Sequence, residues 1–355
     1  MVFYIRFLKT PRLQKQKTGT LAASALICIT TDLGDAFLAQ DEDLVGTLRL
    51  ASNGKAVCQG QLQWRGGKRE LSVALGPLPA SIVRQSMIME ITSRVSQRIS
   101  SDSLLNQHDI PLVISGWSAP FGGPQSEIAD KLVERRLSVN QTVKLSIWEE
   151  TGNSIARHIW DAAVASVMYL QQLIAEGELS SNTALRSLLR TGRDSPLRVI
   201  ELGSGCGIVG IALAKLLPKC SVLLTDLPEV EEIVSKNIAA ARPALSSTLQ
   251  YRPLEWEEEL PDDLFDTPSI DLVLVSDCTY NADSLPALVS ILRRLANMSP
   301  HVLILVALKR RHESESIFFD LMKSAGLDTL NLDRMRLPSQ YDDYDEIELH
   351  CYGRQ

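Results

Sequence analysis

Residues 197–217, LRVIELGSGCGIVGIALAKLL, constrain this chain more than any other stretch. A short apolar run ends at Glu201, glycines follow at 203, 205 and 207, and a helical pattern begins near Ile208. Glycines in such a turn let the backbone reverse sharply and let a ligand lie against the main chain without meeting a Cβ. The stretch therefore predicts a strand, a ligand-binding loop and a helix in succession. Apolar runs at 198–202, 220–225, 270–276 and 302–308 alternate with helix-length segments, a rhythm that implies a parallel sheet covered by helices. The loop alone leaves its ligand open, because Gly205, Gly207 and Gly210 also satisfy the dinucleotide pattern G-x-G-x-x-G.

Two acids narrow the choice. Asp226, in SVLLTDLPE, ends the next strand, where a carboxylate can accept both hydroxyls of a ribose. The competing reading makes it the N-cap of the helix that follows. Glu201 stands two residues before the first glycine, a position that is acidic in loops binding S-adenosylmethionine and usually apolar in nicotinamide-binding loops.

Upstream of about residue 145 the chain changes character. Strand-like stretches such as 25–30 and 44–50 alternate with Gly, Asn and Asp turn signals, and LQWRGGKRELSVAL reads as a hairpin around Gly66 and Gly67. Residues 1–145 are expected to be mostly β with one helix near 79–105, and 177–196 to be a surface connection. The start is basic, with no acid before Asp32, a composition shared with transit peptides. ALICITT within it reads better as a strand.

Charge and cysteine usage bound the partners. The 36 Lys and Arg against 43 Asp and Glu give a net charge of −7, so tight nucleic-acid binding has no electrostatic basis and a basic partner is mildly favoured. Six cysteines show no CxxC spacing, which indicates neither a disulfide framework nor a zinc site and suits a reducing cytoplasm or nucleus. The longest apolar runs, such as Val302 to Leu308, fall far short of the roughly 20 residues a bilayer span needs, so no membrane helix is expected.

Taken together, ELGSGCG, the aspartate of LLTDLPE, and SDCTY (276–280) resemble the seven-β-strand methyltransferases. The resemblance is closer to the protein-lysine methyltransferases of the methyltransferase-like 21 group, the family 16 methyltransferases. ETGNSIARHIWDAAVASVMYL is similar to that group's Trp-Asp-Ala-Ala helix, and RPLEWEEEL to its Leu-x-Trp segment. The likeness spans about 148–352; residues 1–145 resemble nothing nameable.

The resemblance implies a Rossmann-like seven-strand α/β domain over 146–355 with helices on both faces. It also implies S-adenosyl-L-methionine as cofactor and a lysine of a protein substrate as acceptor. It places cofactor contacts at Trp160, Gly203, Ser204, Gly205, Asp226, Trp256 and Ser276, with Glu201 holding the loop and the amino-acid end of the cofactor. Ser204 and Cys206 replace the commoner alanine and threonine. Trp160 is expected to close over the cofactor and Trp256 to stack on the adenine.

Asp277 and Tyr280 are the expected catalytic residues, the first orienting the amine and the second lining the lysine channel. The bland alternative makes Asp277 a helix cap and Tyr280 a filler. A small-molecule or nucleic-acid methyltransferase and a non-catalytic cofactor-binding protein are the competing functions. SDCTY lacks the prolines of the Asn-Pro-Pro-Tyr type found in enzymes that methylate nucleic-acid amines. Residues 1–145 are expected to recognise the substrate, and the chain to act as a monomer.

Overall fold

The structure, a computed structural model, describes all residues except 1, 17–18, 95–109, 125, 153, 176–181, 191–193, 262–268, 312–315, 341–344 and 355. The chain forms two compact units, one of residues 1–158 with 338–345 and the other of 159–337 with 346–355.

In the first unit two sheets share one core. β1 (Phe3–Lys15) lies between β2 (Leu21–Thr30), antiparallel, and the short β7 (Val113–Ile114), parallel, while β5 (Leu71–Leu78) extends the sheet beyond β2. The second sheet has the order β10-β9-β8-β6-β3-β4. Its strands are β3 (Glu42–Leu50), β4 (Ala56–Trp64), β6 (Met87–Ser93), β8 (Gly116–Ser118), β9 (Leu132–Ser138) and β10 (Lys144–Glu150). Phe3, Ile5 and Ile27 from one sheet meet Leu48, Met89 and Ile91 from the other in the shared core.

Three expectations are corrected here. The Gly66–Gly67 turn is not a hairpin, because β4 pairs with β3 and β5 with β2, so the turn carries the chain from one sheet to the other. Asp41 holds it there, accepting the Gly66 N–H at 2.9 Å and the Arg65 guanidinium at 2.5 Å. The helix expected at 79–105 is a single turn, Ala80–Val83, followed by β6, whose seven residues all pair with β3; residues 95–109 lie outside the described residues. The boundary expected near 145 falls later, since β10 pairs along its whole length with β9.

The second unit is built on a seven-strand sheet of order β13-β12-β11-β14-β15-β17-β16. Its strands are β11 (Leu197–Leu202), β12 (Cys220–Asp226), β13 (Thr248–Pro253), β14 (Leu272–Ser276), β15 (Leu303–Leu308), β16 (Asp328–Leu337) and β17 (Asp345–Gly353). β11 to β15 run parallel and β17 returns antiparallel beside β15. β14 and β15 are buried almost end to end, as strands covered on both faces must be. Leu288, Ile291, Leu292 and Leu295 of the helix Leu285–Met298 join the core on one face, and the helices Asp161–Ile174 and Ile208–Leu216 pack together on this sheet.

From β11 the chain winds outward through β12 and β13, then returns to β14 on the other side of β11. That reversal makes the carboxyl ends of β11 and β14 a topological switch point, where open α/β sheets bind ligands.

Candidate functional site

The loop leaving β11 is shaped by contacts that only glycine permits. At Gly203 φ is +63°, and a Cβ there would lie 2.4 Å from the Cys278 Sγ and 3.4 Å from the Trp256 ring. A Cβ on Gly210 would strike Leu224 and the Glu201 carboxylate, at 2.5 and 2.6 Å, so the helix Ile208–Leu216 sits close on the sheet.

The two acids hold this loop. Glu201 is buried, its Oε2 accepts the Gly210 N–H at 2.7 Å, and burial pushes its carboxyl up to about 8. Asp226 accepts the Gly205 N–H on Oδ2 and the Leu227 N–H on Oδ1, both at 2.7 Å, and burial raises its pKa. Asp226 thus joins the glycine loop to the turn after β12. An ionised carboxylate has about four acceptor positions, so these two bonds leave capacity for ligand hydroxyls.

Polar atoms that lack a protein partner mark where a ligand would lie. The hydroxyls of Ser204, Ser276 and Thr279 are buried with no hydrogen-bond partner among the described residues. Buried polar atoms are nearly always paired, so orphans gathered at a switch point suit a polar ligand. Trp256 is half-buried beside Gly203 and is anchored by its carbonyl, which accepts from Arg294 at 2.7 Å. Trp160 occupies the N-cap position of the helix Asp161–Ile174, and the Asp161 carboxylate takes the Lys309 Nζ at 3.0 Å.

The residues of SDCTY diverge. Asp277 is a non-glycine residue with φ +56°, its N–H donates to the Ala307 carbonyl at 2.8 Å, and its buried carboxylate accepts from both terminal nitrogens of Arg311, at 2.7 and 2.8 Å. The Arg311 guanidinium also stands 5.6 Å from the centroid of the Trp160 ring. Tyr280 is 60% exposed, and partial burial raises its hydroxyl pKa. The cap of the following turn is Asn281, whose side chain accepts the Asp283 N–H at 3.1 Å. Sequence reasoning missed Arg311; its one signal was the basic run Lys309-Arg310-Arg311 at the end of a strand.

A separate cavity of about 630 Å³, lined by Arg198, Leu223, Tyr251 and Ile270 among others, shares no residue with this site.

Residues 139–325 match the sequence model of a lysine methyltransferase family. The chain belongs to that family. It is 28% identical over 325 residues to a UPF0665 family protein of Schizosaccharomyces pombe, covering 89% of this chain and 91% of that one. It is 29% identical over 195 residues to protein N-lysine methyltransferase METTL21A of Danio rerio, covering 55% and 76%. It is also 32% identical over 183 residues to EEF1A lysine methyltransferase 3 of Mus musculus, covering 50% and 68%. As a lysine methyltransferase, the chain carries its glycine loop, Asp226 and SDCTY segment all within the matched residues.

Proposed function

We propose that this lysine methyltransferase binds S-adenosylmethionine at the carboxyl ends of β11, β12 and β14 and methylates a lysine side chain of a protein substrate. The observation that carries the reading is the cradle itself. Gly203 leaves space that a Cβ would fill, and the buried Ser204 and Ser276 hydroxyls beside it lack protein partners among the described residues. The cofactor, when bound, supplies an activated methyl group on a sulfonium centre.

In this reading Asp226 receives the ribose hydroxyls, Trp256 flanks the adenine, and Gly203 to Gly205 and Ser204 line the amino-acid portion. A lysine amine of pKa about 10.4 must lose its proton before it attacks, which costs roughly 4–5 kcal/mol at pH 7. Asp277 orients that amine by accepting a hydrogen bond from it, while Tyr280 borders the approach. The proton leaves to water. Residues 1–158 contribute to recognition of the protein substrate and not to cofactor affinity. The six free cysteines suit a reducing compartment, cytoplasm or nucleus.

Two measurements test this reading. Calorimetry should show binding of S-adenosylmethionine and its demethylated product, with none of NAD. Incubation with labelled cofactor, EEF1A and a cell extract should label a protein on lysine. Because two relatives are named for EEF1A or N-lysine methylation, EEF1A is the first purified acceptor to try. NAD binding without S-adenosylmethionine binding would refute the cofactor site.

A further inference from the structure

We infer that Arg311 is a positioning residue for methyl transfer: it holds the Asp277 carboxylate in an ion pair, so the incoming amine meets a neutral pair and not a bare negative charge. This rests on the lysine-methyltransferase reading above. The geometry is bidentate, with Nη1 to Oδ1 at 2.7 Å and Nη2 to Oδ2 at 2.8 Å, the arrangement in which arginine fixes the plane of a carboxylate as well as its charge. Arg311 lies just past β15, Asp277 just past β14, and Trp160, under the guanidinium, starts the helix Asp161–Ile174. One side chain thereby joins the ends of three elements.

The surrounding charge explains why a cation is needed. From β12, Asp226 acts on the Cys278 thiol together with Asp277, and Asp226, Glu229 and Asp277 act on the Tyr280 hydroxyl, while Glu201 of β11, pushed up to about 8 by burial, is mostly protonated at pH 7. From the helix Asp161–Ile174, Asp161 is already matched by Lys309. Arg311 supplies a cation to Asp277. A carboxylate within about 4–6 Å of an amine favours the ammonium form and raises its pKa by about 1–3 units, which works against attack. Pairing Asp277 with Arg311 removes most of that bias while leaving an acceptor for orientation. Asp277 keeps its left-handed backbone at an energetic cost, and the fixed ion pair supplies a reason for the segment to maintain it.

The test needs no protein substrate. Sinefungin carries an amine where the cofactor carries its methyl-bearing sulfonium, so its ammonium occupies the position of transfer. Calorimetry at pH 7 on the full chain gives the ratio of sinefungin to S-adenosylhomocysteine affinity. Arg311→Gln should raise that ratio at least about 10-fold, as an opposite charge shifting a pKa by one unit or more implies. Arg311→Lys, which keeps the charge, should stay near wild type, and Asp277→Asn/Arg311→Gln should cancel the rise. S-adenosylhomocysteine affinity alone should change less than about threefold in each.

Turnover gives a second readout on any acceptor found. In Arg311→Gln the pH at which kcat/KM reaches half its maximum should move up by about one unit, and part of the loss at pH 7 should return at pH 9. Binding of both ligands with an unchanged ratio would overturn this inference alone. So would a rate loss of equal size at every pH. Failure of wild type to bind either ligand would overturn the cofactor reading and this inference with it.

Discussion

Cys278 lies beneath the backbone of Gly203, and the pair sets how closely the loop after β11 approaches the strand end of β14. Gly203→Ala meets two obstacles: a left-handed φ that costs an L-residue about 1–2 kcal/mol, and a Cβ placed 2.4 Å from the Cys278 Sγ. The loop must shift to relieve that contact, and a shift of the loop displaces the cofactor. S-adenosylhomocysteine affinity should fall at least 10-fold in Gly203→Ala. Cys278→Ala alone should cost little affinity, and in the double variant it should restore most of the loss, because the atoms that remain, the Trp256 ring at 3.4 Å and the residue-278 Cβ at 3.8 Å, are at ordinary van der Waals distance. The residual deficit measures the backbone term. Additive losses in the double-mutant cycle would show that Gly203 and Cys278 do not communicate through this contact.

Strand β11 and the helix after it are coupled through Glu201, and this coupling has a pH signature. The carboxyl ordinarily titrates near 4.5 and is pushed up to about 8 by burial. The unfolded chain releases this proton near 4.5 while the folded chain keeps it to about 8, so the folded state binds more protons between those values. Stability from this group is therefore full below pH 4.5 and is lost as pH rises to 8, by an amount on the order of a few kcal/mol. The thermal midpoint of the ligand-free protein should fall from pH 5 to pH 8. Glu201→Gln, whose side-chain oxygen can still accept the Gly210 N–H, should flatten that fall and leave the part Asp226 adds with the same sign. An unchanged slope in Glu201→Gln would place the carboxyl in an ordinary titration range.

At this scale the sequence was most legible where chemistry is local. Four of the five parallel strands, the glycine loop and Asp226 at a strand end all depend on short-range patterns, and the structure places them together. The misses arise from long-range pairing. Two strand-like runs around Gly66 and Gly67 carry a hairpin signal, yet each finds its partner elsewhere, and no local feature says so. The apolar run 87–93 fits helix or strand equally, and pairing with β3 decides it. Arg311 was invisible for the same reason: its partner Asp277 is 34 residues away, and nothing about either residue alone announces the ion pair.

Across the whole molecule, the two units have different stabilising chemistry, which allows them to be perturbed separately. In the first unit Arg135 and Glu149 are both fully buried and paired at 2.6 Å, with Arg135 also donating to the Ser115 carbonyl at 2.8 Å and lying 5.6 Å from the Tyr4 ring centroid. The Arg135 guanidinium holds the Glu149 carboxyl well below its usual range, against the opposing effect of burial. Arg135→Ala removes the bonded guanidinium and leaves the buried carboxylate with His158, 3.6 Å away, as a weaker neighbour; breaking a buried pair from one side costs about 3–5 kcal/mol, or roughly 10 °C in a unit of this size. S-adenosylhomocysteine should act on the other unit, raising its midpoint by mass action with concentration. Calorimetry should then resolve two transitions, one lowered by Arg135→Ala and one raised by the ligand, with ligand affinity in Arg135→Ala within about threefold of wild type. A single transition that moves with both, or a large loss of ligand affinity in a folded Arg135→Ala protein, would make residues 1–158 part of the cofactor site and refute the division of labour between the units.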